Sequence, residues 1–292
     1  MGNIGCFMEQ RNLKDPAERR ALVKYKIAAA KLGHKFELFS KQDMLKVPKY
    51  DAIFIRAFTF PLNPAYLVAK MAEDRKIKVI DDSRSILICD NKVHMYRLMM
   101  QNKVPIARTE FLEKSDLNTA NARKLFKELG STLVLKAPDS AFSRHVDKVE
   151  SIPQFMNLAK KYFRVAEEIV VQEYTPTNFD WRVTTLGGKV LFVCKYLMPP
   201  KCWKIRKVLG TKIIWCKIQT IDRKTANKRL LDMALAASKA VGNGIYGVDL
   251  KEINGKYHVV EVNDNPNIDA GGEDASNPEL YGEIIKYLMK KY

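Results

Sequence analysis

Two stretches near the end of the chain set acidic and amide side chains among apolar ones: Gly247-Val248-Asp249-Leu250 and Val260-Glu261-Val262-Asn263-Asp264-Asn265-Pro266. The flanking residues place Asp249 and Glu261 on buried strands. An unpaired carboxylate is costly there, so each needs a cation or a hydrogen-bond partner. Glu261 and Asn263 are two apart and share one strand face. Asn254-Gly255, between the stretches, signals a hairpin. A three-residue loop at 254–256 would set Asp249 opposite Glu261, and a two-residue loop would set it opposite Val260. The first register gathers three hard oxygen donors, a set that suits Mg²⁺.

Other patterns exclude chemistry. Gly242-Asn243-Gly244-Ile245-Tyr246-Gly247 fits G-x-G-x-x-G as letters. A dinucleotide site needs a strand before it and a helix after it, and here the order is reversed, so it reads as a helix C-terminal glycine and a turn. No Walker A, H-E-x-x-H or G-x-S-x-G sequence occurs. The five cysteines form no C-x-x-C and read as reduced thiols.

Elements must position these residues. Asn3–Met8, Phe36–Phe39, Ala52–Ile55 and Lys78–Ile80 read as strands. Helices start at Asp15-Pro16 and span Pro64–Asp74, giving a small, mostly parallel sheet that the run Asp81-Asp82-Ser83 closes. A helix begins near Asp90 with Val93, Tyr96 and Met100 on one face. Leu133–Lys136 is a buried strand ending in a charge, Ser151–Phe163 a helix and Ile169–Tyr174 a strand. Beyond them Trp181–Leu186 and Val190–Leu197 form a hairpin, Arg223–Val241 a helix, and Tyr246–Ile253 and Tyr257–Asn263 the second hairpin. The fold class is α/β (α+β), in two or three subdomains. Of the 292 residues 47% are hydrophobic and 28% charged, which excludes disordered and low-complexity classes. No apolar run approaches membrane-spanning length. The N-terminus is not a signal peptide, and Cys6 stands where a myristoylation start wants Ser or Thr. The expectation is a soluble, cytoplasmic protein.

The formal charge is +17. From Lys189 to Arg229 twelve basic residues face only Asp222. Such a field is either a solvated face or an attractor of an anionic partner: an acidic peptide, a nucleotide or nucleic acid.

These pieces, in their order and spacing, resemble the ATP-grasp superfamily and its RimK-type glutamate ligase branch. The resemblance runs through Ile80-Asp81-Asp82-Ser83-Arg84-Ser85-Ile86 before Asn91-Lys92, Val134-Leu135-Lys136-Ala137-Pro138-Asp139-Ser140, Val171-Gln172-Glu173-Tyr174, Asp180-Trp181-Arg182-Val183, Cys194-Lys195-Tyr196 and Glu261 to Asp269. It implies an N-terminal α/β domain (1–90), a central lid unit (91–174) and a C-terminal antiparallel unit with the metal site (175–292). The implied enzyme is a carboxylate–amine ligase working through an acyl phosphate, with ATP and Mg²⁺ (Mn²⁺ as the alternative ion). Lys92 and Lys136 would bind phosphates, with Gln172, Glu173, Tyr174 and Asp180 at the nucleotide end. Ser140 and Ser143 would lie in a phosphate-covering loop, which here, over 139–145, holds no glycine. Arg182 and Lys195 would neutralise the transferring phosphoryl group or the acyl phosphate, and Asp249, Glu261 and Asn263 would hold metal. The expected substrates are a small-molecule amine and carboxylate, among them glutamate or an acidic peptide, and homo-oligomerisation is left open. The rival is a non-catalytic ATP- or nucleic-acid-binding protein using the basic 189–229 face. Against it stand the retained metal and phosphate positions and the absence of an RNA-binding aromatic–basic motif.

Overall fold

The computed structural model describes residues 1–10, 12–139, 144–210 and 212–290. Strand β1 (Asn3–Phe7) leads to α1 (Pro16–Lys31), where the Asp15 carboxylate accepts from the Ala17 N–H and Pro16 sits at the first position. Strands β2 (Lys35–Phe39) and β3 (Ala52–Ile55), helix α2 (Pro64–Glu73) and strand β4 (Lys78–Ile80) follow. The sheet order is β2-β1-β3-β4, all parallel, as the strand–helix alternation predicts. Asp81-Asp82-Ser83 does not simply end this unit. Asp82 caps a further helix, α3 (Ser83–Asp90), by accepting from the Ser85 N–H, and Asn91 caps α4 (Lys92–Gln101) in the same way.

The middle of the chain adds β5 (Thr109–Glu113), α5 (Thr119–Leu129), β6 (Leu133–Lys136), β7 (Val146–Val149), α6 (Ile152–Tyr162) and β8 (Glu168–Glu173). Its antiparallel sheet, in the order β5-β8-β6-β7, closes a core of its own with α5 and α6 around Leu125, Leu135, Phe155 and Ile169.

Strands β9 (Phe179–Leu186) and β10 (Lys189–Leu197) form the expected hairpin. After them come a two-stranded ribbon, β11 (Arg206–Leu209) with β12 (Lys212–Trp215), then β13 (Lys217–Ile221). Helix α7 (Lys228–Val241) begins five residues later than its apolar spacing suggests. Asp222–Thr225 is a hydrogen-bonded turn, and Asn227 supplies the cap. Strands β14 (Ile245–Ile253) and β15 (Lys256–Asn263) complete a five-stranded sheet, β13-β10-β9-β14-β15, and α8 (Leu280–Met289) ends the described chain. Helices α4 and α7 cover one face of this sheet through Tyr96, Met99, Leu230, Val248 and Val262. The other face shares a core with the N-terminal sheet, because α8 returns to pack on α1.

Candidate active site

The metal-candidate register forms by a route the sequence did not suggest. The turn has two residues, Asn254 and Gly255, both at positive φ (51° and 72°), with Ile253 opposite Lys256. That count alone would pair Asp249 with Val260. Instead β15 carries a bulge: Leu250 faces Val259, Val260 is the extra residue, and Asp249 faces Glu261. The bulge is anchored, since the Tyr96 hydroxyl donates to the Val260 carbonyl at 2.6 Å. Asn263 Nδ2 reaches the Gly247 carbonyl (3.2 Å) and Asp249 Oδ2 (3.4 Å). Asp249, Glu261 and Asn263 therefore share one face of the sheet.

Arg182 is opposite Asp249 on β9 and grips it with both arms, Nε to Oδ1 at 2.5 Å and Nη2 to Oδ2 at 2.8 Å. Both side chains are buried. Burial raises the Asp249 carboxyl above its ordinary value while Arg182 opposes that shift. The two-pronged geometry is that of an ion pair. Gly247 makes room for it. A Cβ there would lie 2.8 Å from Arg182 Nη1 and 2.7 Å from the Pro266 Cβ.

Lysines at the start of α4 and the end of β6 meet these carboxylates. Lys92, at the start of α4, is buried, and its Nζ lies 3.4 Å from Glu261 Oε1. Lys136 is buried at the end of β6 and donates to the Tyr96 hydroxyl at 2.5 Å. Burial lowers its pKa to about 8, with Glu261 and Asp180 pulling it back up. Both lysines line a cleft of about 110 Å³ shared with Gln172, Glu173, Tyr174, Asp180, Asp249 and Glu261.

At the cleft's far end Gln172 donates to Thr109 Oγ1, and Glu173 is clamped by Arg108, Nε to Oε2 at 2.6 Å. Tyr174 meets the Trp203 ring edge-on. Asp180 pairs with Lys251 at 2.7 Å. Ser140 and Ser143 lie outside the described residues.

One assignment is corrected. Lys195 is opposite Trp181, one position out of phase with Arg182, so strand alternation sends it to the other face of the sheet. There its ammonium stacks over Phe179 (4.2 Å) and Trp181 (4.6 Å). It does not join the Arg182–Asp249 group. Lys204 lines the cleft instead, 3.2 Å from Asp147. In the sequence Lys204 stands out only as part of the basic run, because it lies in an irregular segment with no periodicity to place it. Lys251, on Asp249's own face, and Arg56 were missed as well. Arg56 follows directly on β3, at the carboxyl end of a parallel strand where ligand crevices form, and that position is the signal. Its Nη1 donates to Asn265 Oδ1 (2.7 Å) and the Pro266 carbonyl (2.8 Å).

The donor set fits Mg²⁺: two carboxylates and an amide whose oxygen and nitrogen exchange places by a flip. Among the described residues no group of three or more His, Cys, Asp or Glu could hold a metal alone. Water and phosphate would have to complete the shell, which is the coordination Mg²⁺ prefers.

The profile of the RimK-like ATP-grasp domain matches residues 89–288. The chain belongs to the RimK-like ATP-grasp family. A probable alpha-L-glutamate ligase of Legionella pneumophila (strain Corby) is 24% identical over 248 residues, covering 84% of this chain and 78% of its own length. The Glutamate--LysW ligase ArgX of Sulfolobus acidocaldarius is 23% identical over 250 residues, covering 84% and 83%. The fold is that of D-alanine--D-alanine ligase from Bacillus anthracis, with TM-score 0.74, 17% identity and 99% and 96% of the two chains covered. It is also that of the ATP-grasp ligase PsnB, solved with a phosphomimetic variant of minimal precursor, Mg and ADP, with TM-score 0.70, 15% identity and 98% and 97% covered. This RimK-like protein is thus an ATP-grasp carboxylate–amine ligase, an enzyme that forms carbon–nitrogen bonds, and its family binds ATP and Mg²⁺. The rival reading as a non-catalytic binding protein gives way.

Proposed function

We propose that the protein joins glutamate, or another amino acid, to an acidic acceptor, through Asp249, Glu261 and Asn263 at one end of the cleft and Lys92 and Lys136 on its walls. The observation that carries this is the bulge-set register of Asp249 with Glu261, facing two buried lysines, one from α4 and one from the end of β6. In the reaction, a carboxylate oxygen of one substrate attacks the γ-phosphorus of ATP and ADP leaves. The amine then attacks the acyl carbon, phosphate departs and the amine gives up a proton. Lys92 and Lys136 neutralise and orient the phosphates, and Lys204 reaches the same cleft. Arg182, expected to neutralise the transferring phosphoryl group, has Nε and Nη2 engaged by Asp249, so we assign it instead the positioning of that carboxylate. Mg²⁺, held by Asp249, Glu261 and Asn263, would neutralise charge between phosphates.

The glutamate assignment is supported by the names of the relatives, and the acidic acceptor by the 189–229 charge. A larger cavity, about 1040 Å³, is lined by Phe58, Phe60, Asp90, His94 and Arg144 and offers room for the non-nucleotide substrates. The 91–174 unit would act as the lid. No described helix is long and apolar enough to cross a membrane, which is compatible with the cytoplasmic location we propose.

The test is phosphate release from MgATP, screened against amino acids and acidic peptides. Glu261→Gln keeps the shape of the side chain and removes the charge. It should abolish turnover while the melting temperature stays near that of the parent. Turnover close to wild type would sink the metal assignment.

A further inference from the structure

The ribbon β11–β12 is unlike the rest of the chain: it is two-stranded, joined to no larger sheet, and apolar where it meets solvent. Val208 is 57% exposed, Leu209 50% and Trp215 49%, and Ile213, Ile214 and Ile218 are exposed with them. Cross-strand pairing puts Val208, Ile213 and Trp215 on one face with Arg206, and Leu209 and Ile214 on the other with Lys207 and Lys212. No acidic residue occurs from Lys201 to Ile221. An isolated two-stranded ribbon is marginal in water, and exposed aliphatic clusters on this scale mark interaction surfaces.

We propose that this ribbon, with the exposed residues Lys217, Ile218 and Gln219 of the edge strand β13 that follows it, is a docking surface for an acidic polypeptide whose acidic and apolar residues alternate. The inference rests on the ligase reading and adds that the acceptor is a polypeptide held away from the reacting atoms. Three observations select this occupant. Apolar residues are exposed on both faces of the two-stranded ribbon, a surface from which a small molecule would gain little contact. A second copy is disfavoured by charge, since pairing two ribbons would bring Arg206, Lys207, Lys212 and Lys217 of both together with no acid between them. An extended chain matches the ribbon's period of two, and its acidic side chains can meet the lysines while its apolar ones cover Val208 and Ile213. The position is useful as well. Trp203, Lys204 and Ile205, immediately before β11, line the nucleotide cleft, so a chain lying on the ribbon can run into it.

The test uses the full chain and labelled peptides of roughly eight residues, about the length of a long strand. One alternates Glu and Leu, one Glu and Ser, one Lys and Leu, and a single-stranded RNA of similar charge is included. Fluorescence anisotropy should show the Glu/Leu peptide binding roughly tenfold more tightly than Glu/Ser, and the Lys/Leu peptide not at all. Val208→Ser with Ile213→Ser should weaken Glu/Leu binding by about the same factor. These positions are exposed, so the fold tolerates the change, and MgATP affinity measured on the same samples should not move. Equal binding of Glu/Ser and Glu/Leu, unchanged binding by the double variant, or tighter binding of the RNA would overturn the proposal. So would a wild-type dimer in sedimentation that the double variant loses. Wild type that docks the peptide yet does not bind MgATP would overturn the ligase reading and leave the docking surface standing.

Discussion

Lys136, which we assign to the phosphates, would serve function at a cost to the fold. Its burial favours the neutral amine and brings the pKa down to about 8 from an ordinary 10.5. Between those two values the unfolded chain binds more protons than the folded one, so this group's penalty is fully present below pH 8 and is relieved as pH rises through 10.5. The shift corresponds to about 3 kcal/mol against the charged form. Lys136→Met should therefore raise the stability of the nucleotide-free protein at neutral pH by about 1–3 kcal/mol, read by urea denaturation. The same variant should weaken MgATP by on the order of 2 kcal/mol, read by calorimetry, because a triphosphate is what offsets the buried ammonium. Proton uptake on MgATP binding near pH 8, seen as a dependence of the heat on buffer, is the companion signature. Unchanged nucleotide affinity would remove Lys136 from the phosphate site. This residue was legible because a lysine directly after three apolar strand residues carries its charge into the interior, where only an anion can balance it. Lys195 was misread because a family pattern names a position and not the strand face, and face alternates with every residue.

At the scale of elements, the metal-candidate group depends on one bulge and one glycine. Both candidate loop lengths were readable in Asn254-Gly255, but the bulge at Val260 was not, since nothing in Val259-Val260-Glu261 marks the extra residue. It comes from tertiary contacts: the Tyr96 hydroxyl on the Val260 carbonyl, and the Val259 N–H on the carbonyl of Pro105. Strong periodicity exposed the long helices and the parallel strands. Helices α5 and α8 and the short strands β5, β7, β11, β12 and β13 lacked a clear signal, and pairing partners far along the chain decide them. In the sequence Gly247 stands only as a neighbour of Asp249 and as the last letter of an apparent G-x-G-x-x-G, and its close approach to Arg182 and Pro266 explains it. Gly247→Ala should push Arg182 off Asp249, since the proline ring cannot yield as a flexible chain end does. The expected cost is about 1–3 kcal/mol of stability together with a fall in kcat larger than any change in KM for ATP. A variant with parental melting temperature and kcat would show that Arg182 finds another path to Asp249.

On the scale of the whole molecule, the +17 charge is unevenly distributed. Some of the basic residues between Lys189 and Arg229 are committed: Arg223 pairs with Glu283, Lys228 with Asp232, Lys204 with Asp147, and Lys195 stacks on two rings. Lys207 and Lys212 stand on the ribbon, and Lys217 and Lys224 are exposed nearby. Exposed charges of this kind act over about 8 Å at physiological salt. The apparent KM for a glutamate-rich peptide acceptor should therefore rise steeply as salt is added. MgATP affinity, which we assign to buried Lys92 and Lys136 at close range, should change less. Reversing Lys207 and Lys212 to Glu should raise the acceptor KM and flatten its salt dependence while leaving MgATP affinity in place. Lys204 is unsuitable for this purpose because it lines the cleft itself. Initial rates across a salt series, with calorimetry for MgATP on the same preparations, separate the two effects. A preferred acceptor that is neutral or cationic, with a KM indifferent to salt, would mean that the basic run is a solvated face and that acceptor choice is made inside the cleft.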